Sequence, residues 1–227
     1  RLKALATHVC TPDELDMIEH YSTRSERLAD LWVHAVGLGF AALGGVVLAV
    51  LAMHYVGVGP AIATAIYAVC LVAMLSASTI YNLAKPCAAR PVLRRMDEAA
   101  IFLMIAGSYT PFTTQRFEGA WAVGFTLLVW TLAFAGVGTK LLAPRISDAF
   151  WSGVYVLFGW LAVLALKPML ETVHPVALGL LVLGGLIYTA GVFVFISPKV
   201  KYRRAIWHGF VVLGTVCHFV AVWALVV

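Results

Sequence analysis

The stretch from Leu31 to Val56, LWVHAVGLGFAALGGVVLAVLAMHYV, contains no Lys, Arg, Asp or Glu. As a helix it is longer than the roughly 20 residues needed to cross about 30 Å of bilayer hydrocarbon. Cutting the 227-residue chain at every charged residue leaves six further windows of this kind, at 57–84, 99–115, 119–139, 149–166, 172–198 and 205–227. The first two windows touch, and Gly57-Val58-Gly59-Pro60 divides them as a turn. With 62% hydrophobic and only 12% charged residues, the chain is too apolar for a disordered polymer and too poor in charge for a water-soluble globule. The fold class predicted is all-α, an integral membrane bundle of seven transmembrane helices over residues 31–227, preceded by an N-terminal arm over 1–30.

Basic residues orient the bundle. With the N-terminus cytoplasmic and the C-terminus outside, fourteen of the sixteen Lys and Arg fall on the inner side, and only Arg116 and Lys167 fall outside. The formal net charge of +5 then belongs to loops beside anionic headgroups, so no nucleic-acid partner is implied. The expected setting is multi-pass in a cell inner membrane. The arm is rich in acids and bases around Asp13-Glu14-Leu15-Asp16, reads as a cytoplasmic segment or interfacial helix, and lacks a signal-peptide run. It opens on Arg1 instead of Met, which leaves room for a start residue or a longer extension ahead of it. Cys10, Cys70, Cys87 and Cys217 have no metal-type spacing, and no structural disulfide is expected. Pro111 is expected to kink or end the third helix.

Polar groups in or at the mouth of apolar helices cost free energy, so their positions carry information. Helix one opens with Glu26, Asp30 and His34, spaced by four on one face. Helix two ends with Ser76, Ser78, Tyr81 and Asn82, where Ser78 and Asn82 share a face. Helix three opens with Asp97 and Glu98 after Arg94-Arg95, and helix seven with Arg203, Arg204 and His208. Alternating direction places all four helix ends at one depth, near the inner leaflet. A polar cavity lined by Glu26, Asp30, His34 and Arg204, with Ser78, Asp97 and His208, is the expectation. For Glu98, Arg94, Arg95 and Arg203 the plainer reading is interfacial, since such charges snorkel to headgroups or favour the helix dipole. His8, His54 and His174 read as surface residues, and His218, too far along the axis from His208, as a packing or hydrogen-bonding histidine.

The run Asp97-Glu98-Ala99-Ala100-Ile101-Phe102, continuing through Ile105-Ala106-Gly107-Ser108-Tyr109-Thr110-Pro111-Phe112, resembles the third helix of the bacterial hemolysin III family, relatives of the progestin and adipoQ receptors (PAQR). Gly184-Gly185-Leu186-Ile187-Tyr188-Thr189-Ala190-Gly191 resembles its sixth helix, and Ile206-Trp207-His208 with Cys217-His218-Phe219 its seventh. Tyr21 through His34 resembles the opening of the first helix, with Asp30 where Asn is usual.

The resemblance implies a zinc site near the cytoplasmic leaflet: one His at the end of helix two, an H-x-x-x-H pair opening helix seven, and a Ser and an Asp beside the metal-bound water. Zinc on three imidazoles acidifies that water for attack on an amide or ester, and the wider superfamily is associated with hydrolysis of lipid amides. Carried over by position, the catalytic pair is Ser78 and Asp97, and His208 is a ligand. The other two ligand positions hold Asn82 and Arg204. An amide oxygen is a poor zinc ligand and a guanidinium is none. His34, at similar depth, is a candidate substitute ligand. A second device is that Arg204 supplies the missing positive charge, pairing with Asp97 or Glu26 and hydrogen-bonding Asn82. The function expected is a non-catalytic membrane-homeostasis or lipid-sensing role with a degenerate metal site, its partner a membrane lipid or lipid-like small molecule. The alternative is a zinc-dependent hydrolase of lipid amides. A pore-forming cytolysin ranks last, because polar residues do not extend along the helices.

Overall fold

Helix one shows why the chain folds as it does. Its buried positions are Asp30, His34, Gly37, Ala41, Gly45, Leu48 and Ala52, in steps of three and four that form one stripe. Trp32, Val36, Leu43, Val46 and Val50 face outward and are exposed. The stripe turned inward is small and partly polar, while the outer face is large and aliphatic. That distribution suits a hydrocarbon solvent.

A computed structural model describes residues 20–142 and 146–227. The N-terminal arm up to residue 19, including His8 and Cys10, lies outside the described residues. All regular structure among the described residues is helical: α1 (Arg24–Tyr55), α2 (Val58–Leu83), α3 (Arg90–Gln115), α4 (Gly119–Leu142), α5 (Asp148–Gly159), a 3-10 segment (Trp160–Ala165), α6 (Leu166–Thr172), α7 (Pro175–Phe195) and α8 (Arg203–Trp223). Thr23 caps α1, accepting from the Glu26 amide. The α1–α2 turn relies on Gly57, whose φ of 114° only glycine adopts without strain.

Six helical rods are long and apolar enough to cross a membrane: α1, α2, α4, the continuous run Asp148–Thr172, α7 and α8. The third helix matches them in length but carries five charged residues early and a polar run late. Of the two outcomes expected at Pro111, a kink or an end, the end does not occur. Pro111 is buried inside α3, which continues to Gln115. Around it, hydroxyls of Thr110 and Thr114 bond the carbonyls of Ala106 and Thr110 at 2.9 and 2.7 Å. The helix opened by Asp148 likewise runs past Lys167. At its 3-10 segment the i to i−4 ladder lapses, and Tyr109 Oη takes over, donating to Gly159 O at 2.6 Å and accepting from Ala162 N at 2.9 Å.

Neighbours along the chain pack antiparallel from α1 to α4, and α8 packs between α7 and α1. The α5–α6 rod makes the sparsest helix contacts. Two apolar clusters result, one built chiefly from α1, α2 and α8 and one from α3, α4 and α5, with Leu178 and Leu181 of α7 packed against both. Ion pairs and hydrogen bonds between Lys140 and Glu98, Arg27 and Leu83, and Tyr202 and Ser25 bring the α1, α3 and α8 starts to the α2 and α4 ends. This shared tier is the basic end of the bundle.

Candidate functional site

Asp30 is fully buried and is the hub of the basic end. Its Oδ1 lies 2.6 Å from His208 Nδ1, and its Oδ2 accepts from Tyr21 Oη at 2.5 Å and lies 3.5 Å from His34 Nε2. The His34 and His208 rings stand 4.3 Å apart between centroids. Thr79 Oγ1 donates to Leu75 O at 2.6 Å, so toward His34 Nδ1, 3.1 Å away, it acts as acceptor. The other ring nitrogen, His34 Nε2, is buried on the side that faces Asp30.

On the other side of His208, Nε2 lies 3.5 Å from both Ser78 Oγ and Asn82 Nδ2. Asn82 Nδ2 donates to Ser78 O at 3.0 Å and reaches Ser78 Oγ at 3.3 Å, while its Oδ1 accepts from Arg204 Nη1 at 2.7 Å. Close contacts therefore run from guanidinium through amide and imidazole to carboxylate. Asp97 is partly buried and faces Ser78. Arg204 forms no ion pair with Asp97 or Glu26 among the described residues; its hydrogen bond goes to Asn82.

Glu26 is not part of this site. Its carboxylate returns to the Ser22 amide at 2.9 Å while Thr23 Oγ1 accepts from Glu26 N, a reciprocal cap that satisfies two amides at the helix start. Glu98 joins Arg94 at 2.8 Å and Lys140, and Arg94 also pairs with Asp148. Lys140, which the charge count places in a loop, is buried against this network and over the Trp151 ring. Tyr21 and Thr79 were not singled out as site residues by the sequence. Thr79 adjoins Ser78 at the same depth, a signal that could have found it.

Two residues that precede α1, Tyr21 and the cavity-lining His20, have shifted acidities. Burial, with Arg204 and Arg90 nearby, holds His20 down to about 3, so its ring is neutral. Burial and the Asp30 carboxylate push the Tyr21 phenol well above its ordinary range, so it remains a donor.

A cavity of about 860 Å³ opens beside the cluster. At its polar end stand His34, Ser78, Asn82, Asp97, Arg204 and His208. Further along, its walls are Met104, Phe112, Trp160, Leu178, Leu181 and Val211. Asp30 lies behind the histidines and does not line it. His218 does; its Nδ1 bonds Gly214 O at 2.9 Å and its ring packs on Tyr188.

The model of the Haemolysin-III related family matches residues 23–219. The chain belongs to the haemolysin-III related family. It is 31% identical over 202 residues to the hemolysin-3 homolog of Bacillus subtilis (strain 168), covering 88% of this chain and 94% of that protein. Over 199 residues it is 30% identical to hemolysin-3 of Bacillus cereus, covering 87% and 90% respectively. The monocyte to macrophage differentiation factor of Homo sapiens is 29% identical over 164 residues, 70% of this chain and 68% of that protein.

The three positions that the family resemblance assigns to zinc do converge, but as Arg204, Asn82 and His208 they offer one imidazole and do not fit the ion. Asp30, His34 and His208 form a different buried group, one ligand atom each within 4.8 Å, close enough to hold a metal ion. Two ligands of one tetrahedral zinc lie about 3.3 Å apart, given bonds of roughly 2.0 Å. The 2.6 Å between Asp30 Oδ1 and His208 Nδ1 is shorter and is a direct hydrogen bond. An ion there would have to part these two groups.

Proposed function

We propose that this haemolysin-III related chain is a seven-span inner-membrane protein, N-terminus cytoplasmic and C-terminus outside, that holds a lipid-like molecule for membrane homeostasis. The seventh span is α3, turned so that its polar residues face the cavity and its neighbours. The single observation that carries the reading is a cavity apolar along most of its walls and closed at the basic end by Arg204, Asn82, His208 and Asp97. An acyl chain suits the walls, and a polar head suits the cluster. Holding a lipid needs no metal, and the replacement of two zinc-ligand positions by Asn82 and Arg204 is compatible with that.

A long-chain fatty acid bearing a diazirine, supplied to the full chain in nanodiscs, tests the reading. Crosslinks are expected on wall residues such as Met104, Leu178 and Leu181, and Leu181→Trp should diminish them. Labelling confined to outward residues such as Val46 and Leu157 would reject it. One observation favours a second reading, a zinc-dependent lipid amide hydrolase: the buried group of Asp30, His34 and His208, with one ligand atom each within 4.8 Å, is where a cation would be welcome. Stoichiometric zinc in the purified protein would establish that reading. A pore is disfavoured because polar groups gather at one end of the cavity, and dye release from proteoliposomes checks it.

A further inference from the structure

The loss of zinc ligands need not leave the site inert, because the same replacements assemble another arrangement. Ser78 Oγ lies 3.5 Å from His208 Nε2, and His208 Nδ1 lies 2.6 Å from Asp30 Oδ1. We infer that Ser78, His208 and Asp30 form a nucleophile, base and orienting acid that cleave a long-chain acyl ester without a metal ion. The inference rests on the lipid-holding reading of the cavity and names the chemistry of its polar end.

Each member meets its requirement. Ser78 is on the cavity wall, so its hydroxyl can meet a bound carbonyl. His208 bonds Asp30 through Nδ1, which places the proton there and turns the Nε2 lone pair toward Ser78. Nucleophile-to-base contacts are commonly looser before substrate binds than after, and 3.5 Å is within that habit. Asp30 is itself held by Tyr21 Oη at 2.5 Å, so the base cannot swing away with its partner. In relatives with the usual Asn at this position the orienting group would be a neutral amide; Asp30 supplies the carboxylate that stabilises an imidazolium.

The replaced ligands acquire a role as well. Asn82 Nδ2 has one proton on Ser78 O and lies 3.3 Å from Ser78 Oγ, so its second proton is beside the reacting centre. Arg204 donates to Asn82 Oδ1 and makes the amide a stronger donor. Together they supply positive potential where an oxyanion would form, as a metal would in the relatives. Without a Lewis acid to polarise it, a resonance-stabilised amide is the harder carbonyl, so an ester is the substrate class.

In the first half-reaction Ser78 Oγ bonds to the acyl carbon as its proton passes to His208 Nε2. Collapse of the tetrahedral oxyanion breaks the bond to the alcohol oxygen, and the alcohol leaves with that proton. Water then attacks the acyl-serine, gives its proton to His208, and releases the fatty acid with Ser78 reprotonated.

A long-chain alkyl fluorophosphonate is the probe, applied to the full chain in detergent with EDTA present and read by mass spectrometry. A covalent adduct on Ser78 is expected, absent in Ser78→Ala and slowed roughly 100-fold or more in His208→Gln. Asp30 is a positioning residue: Asp30→Asn should lower kcat on a p-nitrophenyl long-chain ester with KM unchanged and diazirine crosslinking retained. No adduct on Ser78, with crosslinking intact, would overturn the triad and leave the lipid-holding reading standing, whereas loss of both in a folded wild-type chain would remove both. Labelling that needs added zinc, or that survives His208→Gln but not Asp97→Asn, would also overturn it. Size-exclusion profiles and Tm identify any variant that fails to fold, and Ser78→Cys then serves as the milder substitute, expected to keep binding lipid while reacting with iodoacetamide instead.

Discussion

A carboxylate as buried as Asp30 must be met on every side, and the residues that meet it come from α1, α8 and the segment before α1. Spacing placed Asp30, His34 and His208 at one depth, because depth follows from counting along a helix. It did not reveal that Asp30 and His208 bond directly, since rotation about the axis and the order of packed helices are not carried by spacing. Glu26 shows the same limit from the opposite side: it shares the Asp30 face, yet the unpaired amides of the helix start claim it. Two predictions belong here. Asn82→His with Arg204→His restores three imidazoles around one point, and the double variant should bind about one zinc per chain by elemental analysis; uptake no greater than in the parent would show that Asp30 prevents zinc from settling. The second concerns His20. Its folded value of about 3 lies below the ordinary 6.5, so between these values the unfolded chain binds the extra proton. Stability is therefore full above about pH 6.5 and is lost as pH falls through that window. His20→Phe should flatten the fall in Tm between about pH 7 and pH 4, and an unchanged slope would assign the acid sensitivity elsewhere.

Helices α7 and α8 approach through reciprocal notches. A Cβ on Gly184 would come within 2.5 Å of His218 Nδ1, and one on Gly214 within 2.8 Å of the Tyr188 ring. Each helix thus receives a large side chain of the other, the close approach that small residues permit in lipid. Gly184→Val should cost about 1–3 kcal/mol by overpacking, while Gly39→Ala, which meets nothing within 4 Å, should be neutral or stabilise by up to about 1 kcal/mol through helix propensity. Denaturant titration in detergent reads both, and equal effects would mean the notch is not tight. Which glycines are notches is not legible in the sequence, because Gly39 and Gly184 look alike until a partner is placed. The charge-free windows located every rod, whereas element ends were less legible. The third helix begins at Arg90, well ahead of its apolar window, because its charged first turns find partners in Lys140 and Asp148.

At the scale of the whole molecule the two ends differ in kind. One gathers Arg24, Arg27, Arg90, Arg94, Arg95, Lys140, Arg203 and Arg204 with the candidate site, and the other is left with Arg116 and Lys167. The proposed cytoplasmic placement of the basic end rests on the bias of Lys and Arg against translocation. Under that proposal a lipid presents its head toward the inner leaflet to reach Arg204, with its chain along α3 and α7. A fluorescent protein fused before residue 1 should therefore fluoresce in a bacterial host, and alkaline phosphatase fused after Val227 should be active. The reverse pattern would place Arg204 and His208 on the outer side, so that lipid added to the outer leaflet of intact cells would reach the cavity first. Crosslinking of outer-leaflet against inner-leaflet diazirine lipid distinguishes the two by a measurement independent of the fusions.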